Sequence, residues 1–344
     1  MKIEDLKKII SDIGQPSYRF KQIKKAIFSE GIISFLDITN LPMDLRDSLE
    51  ERVRILPFEV EETVVSRDGR AIKSVLSLPD KQLIETVLIS PKPGSWSACI
   101  SSQVGCTLGC LFCATGQGGF KRDLSAEEIV GQVLFWKNYL KGRGQKLNDI
   151  VYMGMGEPFL NWNNVKNSLK VITDKDCIGF SRRSISISTA GIPAGIKDLA
   201  KNFPQVNLAL SLHFADNQIR SGFMPINKKY SLDLLRDTLK EYFKQVRRRV
   251  FIEYILLSGV NDRKEDAKKL AEYLISINEP ALTHVNLIQY NPIGTNLSCS
   301  SRETALNFLG QLRKYHISCT IRKNLGEDIQ GACGQLAGKK EIDR

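Results

Sequence analysis

Three of the chain's eight cysteines fall in one octapeptide, Cys106-Thr107-Leu108-Gly109-Cys110-Leu111-Phe112-Cys113. Three residues separate the first two cysteines, and two separate the last pair. Residues 98–102 read as a strand that leads toward this octapeptide, and Cys99 lies in that strand. Another cysteine, Cys333, lies far downstream in a glycine-rich segment. The pattern predicts a cysteine-bearing loop after the first strand of the main domain.

From this strand onward, strand patterns alternate with helix patterns. Strands are predicted at 98–102, 150–153, 184–188, 206–211, 250–255 and 284–288, and helices near 125–141, 162–173, 192–201, 231–245, 263–276 and 301–315. Repeated strand–helix units imply a parallel sheet with helices outside it. Six such units, followed by a short strand at 317–321, predict an α/β fold with a partial barrel.

Two smaller regions precede the barrel. Residues 1–50 read as helices with short breaks, and their basic stretch at 18–28 suits either phosphate binding or a solvated face. Residues 51–91 change to an alternating pattern that predicts antiparallel strands. Residues 91–95, rich in Pro and Gly, are predicted to link these strands to a core at 92–328, and a tail at 329–344 carries Cys333.

The charge balance narrows the candidate partners. Lys and Arg total 49 against 38 Asp and Glu, which gives a net charge of +11. Such a surplus suggests a polyanionic partner, usually nucleic acid or an acidic membrane, although a solvated basic surface explains it equally well. We expect no membrane span and no secretory signal, and hence a cytoplasmic protein. In a reducing cytosol, the cysteines are better explained as ligands or reactive thiols than as structural disulfides.

The spacing of the three close cysteines favours an iron–sulfur cluster. Thiolates are soft ligands that suit such clusters and zinc, but structural zinc usually takes four protein ligands. Three thiolates can hold three irons of a cubane and leave the fourth open to a substrate. The alternatives are ordinary buried cysteines or an incomplete zinc loop.

The octapeptide resembles the hallmark CxxxCxxC motif of the radical S-adenosylmethionine (SAM) superfamily, including an aromatic residue, Phe112, before the last cysteine. The resemblance implies a 4Fe-4S cluster held by Cys106, Cys110 and Cys113. It further implies that the open iron binds SAM, and that reduction cleaves SAM to a 5′-deoxyadenosyl radical.

Polar residues after the predicted strands complete a candidate SAM site, because ligands of such barrels bind at the carboxyl ends of strands. By the same resemblance, Gly156 and Glu157 correspond to the motif that contacts the methionyl amino group. The other candidates end or follow the third, fourth and sixth strands, and they are Ser188, Ser211, Leu212, His213 and Asn291. Each alone could simply satisfy backbone groups.

Over essentially its whole length, the chain resembles the RlmN/Cfr family of RNA adenine methyltransferases. The resemblance rests on stretches such as 100–106, 153–158, Met224-Pro225-Ile226-Asn227, 259–262 and Ala332-Cys333-Gly334-Gln335-Leu336. Gln330 and Gly331 depart from the family's usual acid and alanine. The resemblance implies that Cys333 accepts a methyl group from SAM and delivers its carbon to adenine. It also implies that Cys99 helps to resolve the adduct, as a base and by forming a disulfide with Cys333, and that Glu85 accepts a proton.

The implied activity is methylation of adenine C2 in 23S rRNA, with tRNA as a second candidate substrate. An unstacked adenine is the expected target, because the base edge must be reachable. Pro158 resembles the C2 branch, whereas the C8 branch, linked to antibiotic resistance, usually has alanine there. The resemblance also implies a monomer and an electron donor such as flavodoxin or ferredoxin. The alternative from another class is a non-catalytic RNA-binding protein.

Overall fold

A computed structural model describes residues 3–339, and its first part is helical. The elements are α1 (Ile3–Asp12), α2 (Ser17–Lys24), a π-helical turn (Lys25–Ser29), a 3-10 turn (Phe35–Asp37) and α3 (Met43–Arg52). Leu6 and Ile10 of α1 and Leu45 and Leu49 of α3 are buried. These apolar residues recur at intervals of four, which places them on one face of each helix.

The remainder is built on strands, most of which join one ten-stranded sheet. The strands are β1 (Glu59–Val65), β2 (Ala71–Ser77), β3 (Leu83–Lys92), β4 (Ser95–Cys99), β5 (Gln103–Gly105), β6 (Phe120–Asp123), β7 (Leu147–Tyr152), β8 (Ile185–Thr189), β9 (Asn207–Ser211), β10 (Val250–Leu256), β11 (Thr283–Gln289) and β12 (Cys319–Ile321). The order in the sheet is β1-β2-β3-β4-β7-β8-β9-β10-β11-β12, and β5 pairs separately with β6. From β4 to β12, neighbouring strands are parallel.

Helices connect the parallel strands, as the sequence predicts. They are α4 (Ala114–Gln117), α5 (Ala126–Lys141), α6 (Trp162–Thr173), α7 (Pro193–Asn202), α8 (Asn217–Phe223), α9 (Leu232–Gln245), α10 (Lys264–Ser276) and α11 (Arg302–Lys314). Serine side chains cap the N-termini of several of these helices. At the start of α5, Ser125 Oγ accepts the Glu128 N–H at 3.2 Å, and the Glu128 carboxylate accepts the Ser125 N–H at 2.8 Å. The partial barrel predicted from six strand–helix units is confirmed.

The segment predicted to be a linker is instead a hairpin turn. β3 and β4 pair antiparallel, and Lys92 lies opposite Ser95 across the turn. Gly94 adopts a φ of +76°, which glycine tolerates without the steric penalty of a side chain. The β-extension is therefore continuous with the barrel sheet, and the Pro and Gly of residues 91–95 serve a tight reversal of direction.

The N-terminal helices pack on the outside of the barrel. Lys137 Nζ in α5 donates to the carbonyl oxygens of Phe28 and Ser29, at 2.9 and 2.7 Å. Ser29 Oγ donates to the carbonyl oxygen of Cys177 at 3.1 Å. Apolar side chains of both parts also belong to one buried core. Within residues 3–339, no helix is both long and apolar enough to cross a membrane.

Candidate active site

The cysteine octapeptide lies between β5 and α4, and its three cysteines line one cavity of about 180 Å³. The loop starts at Gly105, which has a φ of +74°. A Cβ at this position would lie 1.8 Å from the Gly119 carbonyl oxygen. The Cys106 N–H donates to that oxygen at 2.9 Å. Only glycine therefore permits the approach that turns Cys106 into the cavity.

The cavity has the chemistry of an iron–sulfur site. Burial raises the pKa of the Cys106 thiol to about 12 and also raises that of Cys110. Loading a metal group must therefore release protons, because thiolates are the ligands. Within residues 3–339, no three Cys, His, Asp or Glu side chains converge on a position for one metal ion. A 4Fe-4S cluster does not need that convergence, since each thiolate binds a different iron.

Apolar side chains enclose the three thiols. Leu108, Phe112 and Met224 line the same cavity and are buried. The Phe112 ring meets the His213 ring edge-on, with centroids 4.9 Å apart. Soft ligands in a mostly apolar surrounding suit an iron–sulfur cluster, whose potential depends on its exposure to solvent. The residues present thus fit the predicted group, and Cys106, Cys110 and Cys113 would hold it.

Three predicted SAM-site residues meet in this cavity at the ends of β8 and β9. Ser188 Oγ and Ser211 Oγ lie 3.1 Å apart, and both residues line the cavity beside His213. The His213 Nδ1 accepts the Ile255 N–H at 3.2 Å, so the neutral ring carries its proton on Nε2. Burial, with a smaller effect of the Arg220 charge, lowers the pKa of His213 to about 3. His213 is therefore a neutral donor at physiological pH.

A motif downstream holds His213 in its unusual backbone conformation. His213 has a φ of +60°, which residues other than glycine rarely adopt. Asn261 Nδ2 donates to the carbonyl oxygens of His213 and Ile255, at 2.8 and 2.7 Å. The asparagine of residues 259–262 thus supports the site through hydrogen bonds behind it.

Gly156 and Glu157 also line the cavity, after β7. Gly156 has a φ of +100°, and a Cβ there would lie 2.5 Å from Gln103 Cβ. The Glu157 carboxylate accepts the Ala190 N–H at 2.8 Å and the Phe159 N–H at 3.1 Å. Burial nevertheless raises the pKa of Glu157 to about 7. This carboxyl group joins the ends of two strands and can titrate near neutrality.

Two predicted cofactor-binding residues lie behind the cavity wall. Leu212 is fully buried, and its carbonyl oxygen accepts a hydrogen bond from Arg220 Nε at 3.0 Å. Asn291 Nδ2 donates to the backbone carbonyl oxygen of Cys333 at 3.0 Å, and Asn291 Oδ1 accepts a hydrogen bond from Asn324 Nδ2. Asn291 thus fixes the backbone of the predicted methyl acceptor.

Cys333 lies where this cavity meets a second one. The second cavity, of about 300 Å³, is lined by both Cys99 and Cys333, and Cys333 also lines the first. The adjacent Gly334 carbonyl oxygen accepts the Ala114 N–H at 2.8 Å, which ties the tail to the end of the cysteine loop. The structure therefore brings Cys333 to both the predicted cluster side and the Cys99 side.

Cys99 is a half-buried thiol at the end of β4. Burial, reinforced by the nearby Cys333, raises the pKa of Cys99 to about 12, while Arg322 opposes that shift. All eight cysteines lie within the described residues and are free thiols. The structure thus describes the reduced form of the Cys99–Cys333 pair. Cys177, Cys299 and Cys319 line neither of these two cavities.

Two charged residues of the site were missed at the sequence level. Arg322 lines both cavities, and its Nη1 lies 3.3 Å from the Glu253 carboxylate. Glu253 is buried on β10, where it also accepts Asn286 Nδ2 at 2.9 Å. Cys333, followed by Glu253, raises the pKa of Arg322. A signal for Glu253 existed: a carboxylate in the middle of an apolar strand needs a buried partner.

Glu85 lies apart from both cavities in this conformation. It is fully buried on β3, and neither cavity is lined by it. Its carboxylate accepts the N–H groups of Ala337 and Lys339, at 3.3 and 3.4 Å. The predicted proton acceptor therefore anchors the tail that carries Cys333. Residues 340–344 of the predicted tail lie outside the described residues.

Comparison with known proteins supplies an independent line of evidence. The radical SAM superfamily profile matches residues 100–274. A profile of the ribosomal RNA large subunit methyltransferase N-terminal domain matches residues 1–55. A solved structure, a radical SAM methyltransferase from Sphaerobacter thermophilus, is 36% identical with a TM-score of 0.92, and the match covers 98% of each chain.

Curated relatives match over nearly the whole chain. A probable dual-specificity RNA methyltransferase RlmN of Enterococcus faecalis is 40% identical, with 95% of this chain and 92% of that protein covered. A ribosomal RNA large subunit methyltransferase Cfr of Clostridium botulinum strain Okra is 42% identical, with 98% and 97% covered. The two kinds of relative are therefore almost equally similar to this chain.

Proposed function

Because the chain belongs to the RlmN/Cfr family of radical SAM rRNA methyltransferases, we propose that it methylates C2 of an adenine in 23S rRNA. The carbon travels on Cys333 as a methyl-cysteine. The observation that carries this proposal is that Cys333 lines two cavities at once: one shared with the three cluster cysteines and one shared with Cys99. A thiol at that junction can take a carbon on one side and deliver it on the other.

Different residues of this chain carry the carbon, bind SAM and hold the backbone of the carrier. When bound, the cluster and SAM supply the methyl group and the radical that removes a hydrogen atom from it. Cys333 sulfur holds the carbon throughout, so that the adenine never needs to reach the SAM side. Arg322 lines both cavities beside Cys333, whose sulfur attacks SAM as a nucleophile. Ser188, Ser211 and His213 orient SAM, and Asn291 holds the Cys333 backbone.

Release of the product requires the second thiol and a proton acceptor. Once the carbon is bonded to adenine C2, the adduct must lose one electron, for which the bound cluster would be the acceptor, and the C2 proton. The Cys99 thiolate then attacks the Cys333 sulfur, the bond between that sulfur and the carbon breaks, and the carbon takes up a proton to become the methyl group. The pair ends as a disulfide that must be reduced. Glu85 accepts the proton that adenine C2 loses. Because its carboxylate accepts two tail N–H groups, this role requires Ala337 and Lys339 to move away from Glu85. Release of that tail would also free Cys333 for the next methyl transfer.

The RNA reaches the second cavity as an unstacked adenine. Arg122 and Arg247 do not suit the RNA backbone, because Arg122 is already paired with Asp80 and Glu128 and Arg247 lies 2.7 Å from Glu279. A better candidate is a groove of about 840 Å³ between the N-terminal helices and the barrel. Its lining includes five lysines and one acidic residue: Lys7, Lys21, Lys24, Lys25, Lys175 and Asp176. We assign the RNA backbone to this groove, with residues 1–50 as the accessory domain.

The choice of C2 over C8 rests on Pro158, since similarity to RlmN and Cfr relatives does not separate the branches. Nucleoside mass spectrometry of 23S rRNA, after reaction with the reconstituted enzyme, distinguishes 2-methyladenosine from 8-methyladenosine. We expect 2-methyladenosine; 8-methyladenosine alone would refute the C2 assignment. The same measurement on tRNA decides the second substrate.

The working protein is proposed to be a cytoplasmic monomer that receives electrons from flavodoxin or ferredoxin. Elution of the loaded chain on size exclusion tests the first statement. To test the electron donor, flavodoxin and ferredoxin are each mixed with the loaded chain, and reduction of the cluster is followed by its visible absorbance. A colourless preparation that binds zinc and RNA but never holds iron would instead favour the non-catalytic alternative.

A further inference from the structure

The segment from Asn217 to Lys228 lies against the cysteine loop and holds none of the residues proposed to bind SAM or to carry the methyl group. It consists of α8 and a 3-10 turn, and it contains the Met224-Pro225-Ile226-Asn227 stretch. The Phe223 carbonyl oxygen accepts the Leu111 N–H of the cysteine loop at 3.0 Å. Met224 reaches the cavity that the three thiols share. This segment thus forms one wall of the cluster site.

Arg220, in the middle of α8, has no solvent exposure. Its guanidinium donates to the carbonyl oxygens of Ala190 at 2.7 Å, Leu212 at 3.0 Å and Ser211 at 3.3 Å. It also donates to Asn227 Oδ1 at 2.8 Å. All four acceptors are uncharged. Within residues 3–339, no carboxylate forms an ion pair with Arg220.

A buried cation without an anion is costly, because the protein interior solvates charge poorly. Burial lowers the pKa of Arg220 to about 10, and only the weaker influences of Tyr273 and Cys110 act in the other direction. Two of the carbonyl groups that accept the hydrogen bonds of Arg220 belong to Ala190 and Ser211, which line the cavity of the three cluster cysteines. Arg220 thus lies directly behind the wall of the cavity in which iron binding creates thiolates, and those thiolates would be its counter-charge.

We propose that Arg220 is a positioning residue that also supplies the positive counter-charge of the iron–sulfur cluster, and so makes the cluster easier to reduce. The inference rests on the cluster that the family requires. Reduction adds negative charge, which a nearby cation stabilises, so the reduction potential becomes less negative. The hydrogen bonds of Arg220 meanwhile fix the ends of β8 and β9, where Ser211 and His213 lie.

Four variants separate the charge from the hydrogen bonds. Arg220→Lys keeps the charge and loses most of the donors, whereas Arg220→Gln loses the charge. Asn227→Asp leaves Arg220 in place and adds a carboxylate where Oδ1 now accepts its hydrogen bond. Asn227→Ala is the matched control, because it removes the same amide without adding charge. Each chain is reconstituted anaerobically, and the cluster is titrated in the absence of SAM by electron paramagnetic resonance.

The charge account predicts lower potentials in Arg220→Gln and in Asn227→Asp than in Arg220→Lys and Asn227→Ala. The expected difference is about tenfold in the one-electron equilibrium constant, or about 59 mV. If Arg220→Gln fails to bind iron, the difference in reduction potential between Asn227→Asp and Asn227→Ala still tests the charge account. Equal potentials in that pair, or loss of iron from Asn227→Asp and Asn227→Ala alike, would leave Arg220 as a structural cross-link only. Absence of any cluster in the unaltered protein would instead refute the family chemistry itself.

Discussion

The two cavities that meet at Cys333 are enclosed in different ways. The cluster-side cavity is walled by buried side chains and by the ends of parallel strands. The Cys99-side cavity is lined by Lys323 and Asn324 and by Gly331 of the glycine-rich tail, and Lys323 and Asn324 are exposed. The buried side chains and strand ends give the first cavity a fixed shape, which suits a group that must be held in one geometry. The exposed side chains and the glycine-rich tail segment of the second suit admission of a nucleotide.

Removal of Cys333 should have the largest effect, because it should abolish product formation while leaving iron binding in the cluster-side cavity intact. Cys333→Ala leaves the three cluster thiols in place, so it should bind about four irons per chain. Methylation of rRNA should fall by more than about a thousandfold, because the covalent carrier is lost. Iron content and product formation are measured on the same preparation. The control is Cys299→Ala, which alters an exposed thiol outside both cavities. Undiminished product in Cys333→Ala would rule out the methyl-cysteine route.

Gly105→Ala should damage the cluster-side cavity alone. The new Cβ would overlap the Gly119 carbonyl oxygen, and neither backbone segment can yield without displacing Cys106. Gly94→Ala is the matched control, since its φ is equally positive and nothing lies within 4 Å of the new Cβ. It should lose only about 1 to 2 kcal/mol from backbone strain. Iron content should therefore collapse in Gly105→Ala and persist in Gly94→Ala; equal retention in both would contradict the steric explanation.

Much of the fold and of the cluster-side cavity could be predicted from the sequence. The cysteine loop, the strand ends and the order of strands and helices follow from local periodicity and spacing. Arg322 and Arg220 could not be found this way, because their importance depends on distant partners: Glu253 and Cys333 for one, strand-end carbonyl groups for the other. The sequence predicts a linker at residues 91–95, where the structure has a hairpin, because Pro and Gly mark both linkers and tight turns.

Glu157, in the cluster-side cavity, should make the free energy of unfolding of the metal-free chain depend on pH. Its pKa is raised to about 7 by burial, from about 4.5 when unfolded, so folding favours the protonated form. The resulting stability is complete below about pH 4.5 and is lost as the pH rises through about 7, a change on the order of 3 kcal/mol. Urea denaturation of Glu157→Gln should lack this component. The same pH dependence in both chains would show that Glu157 is ionised at no cost.

The lysine groove should affect RNA binding without altering either cavity. Lys21→Glu and Lys175→Glu should each reduce the slope of log binding constant against log salt by about 1, as expected for each lost phosphate contact. Lys268→Glu is the control, because Lys268 lies on α10 outside the groove lining. Binding is followed by fluorescence anisotropy of an rRNA fragment at several salt concentrations. An unchanged slope in both groove variants would remove the groove from the RNA path.

The central claim is that the carbon rests on Cys333 between the two cavities. The most direct test uses SAM with a trideuterated methyl group and follows the methyl group of the product adenine by mass spectrometry. If a hydrogen atom is removed while the carbon is on Cys333, the product methyl group carries two deuterium atoms, and the protein before RNA addition carries the label on Cys333. A product with all three deuterium atoms, or an unlabelled Cys333, would mean direct transfer and would contradict this account.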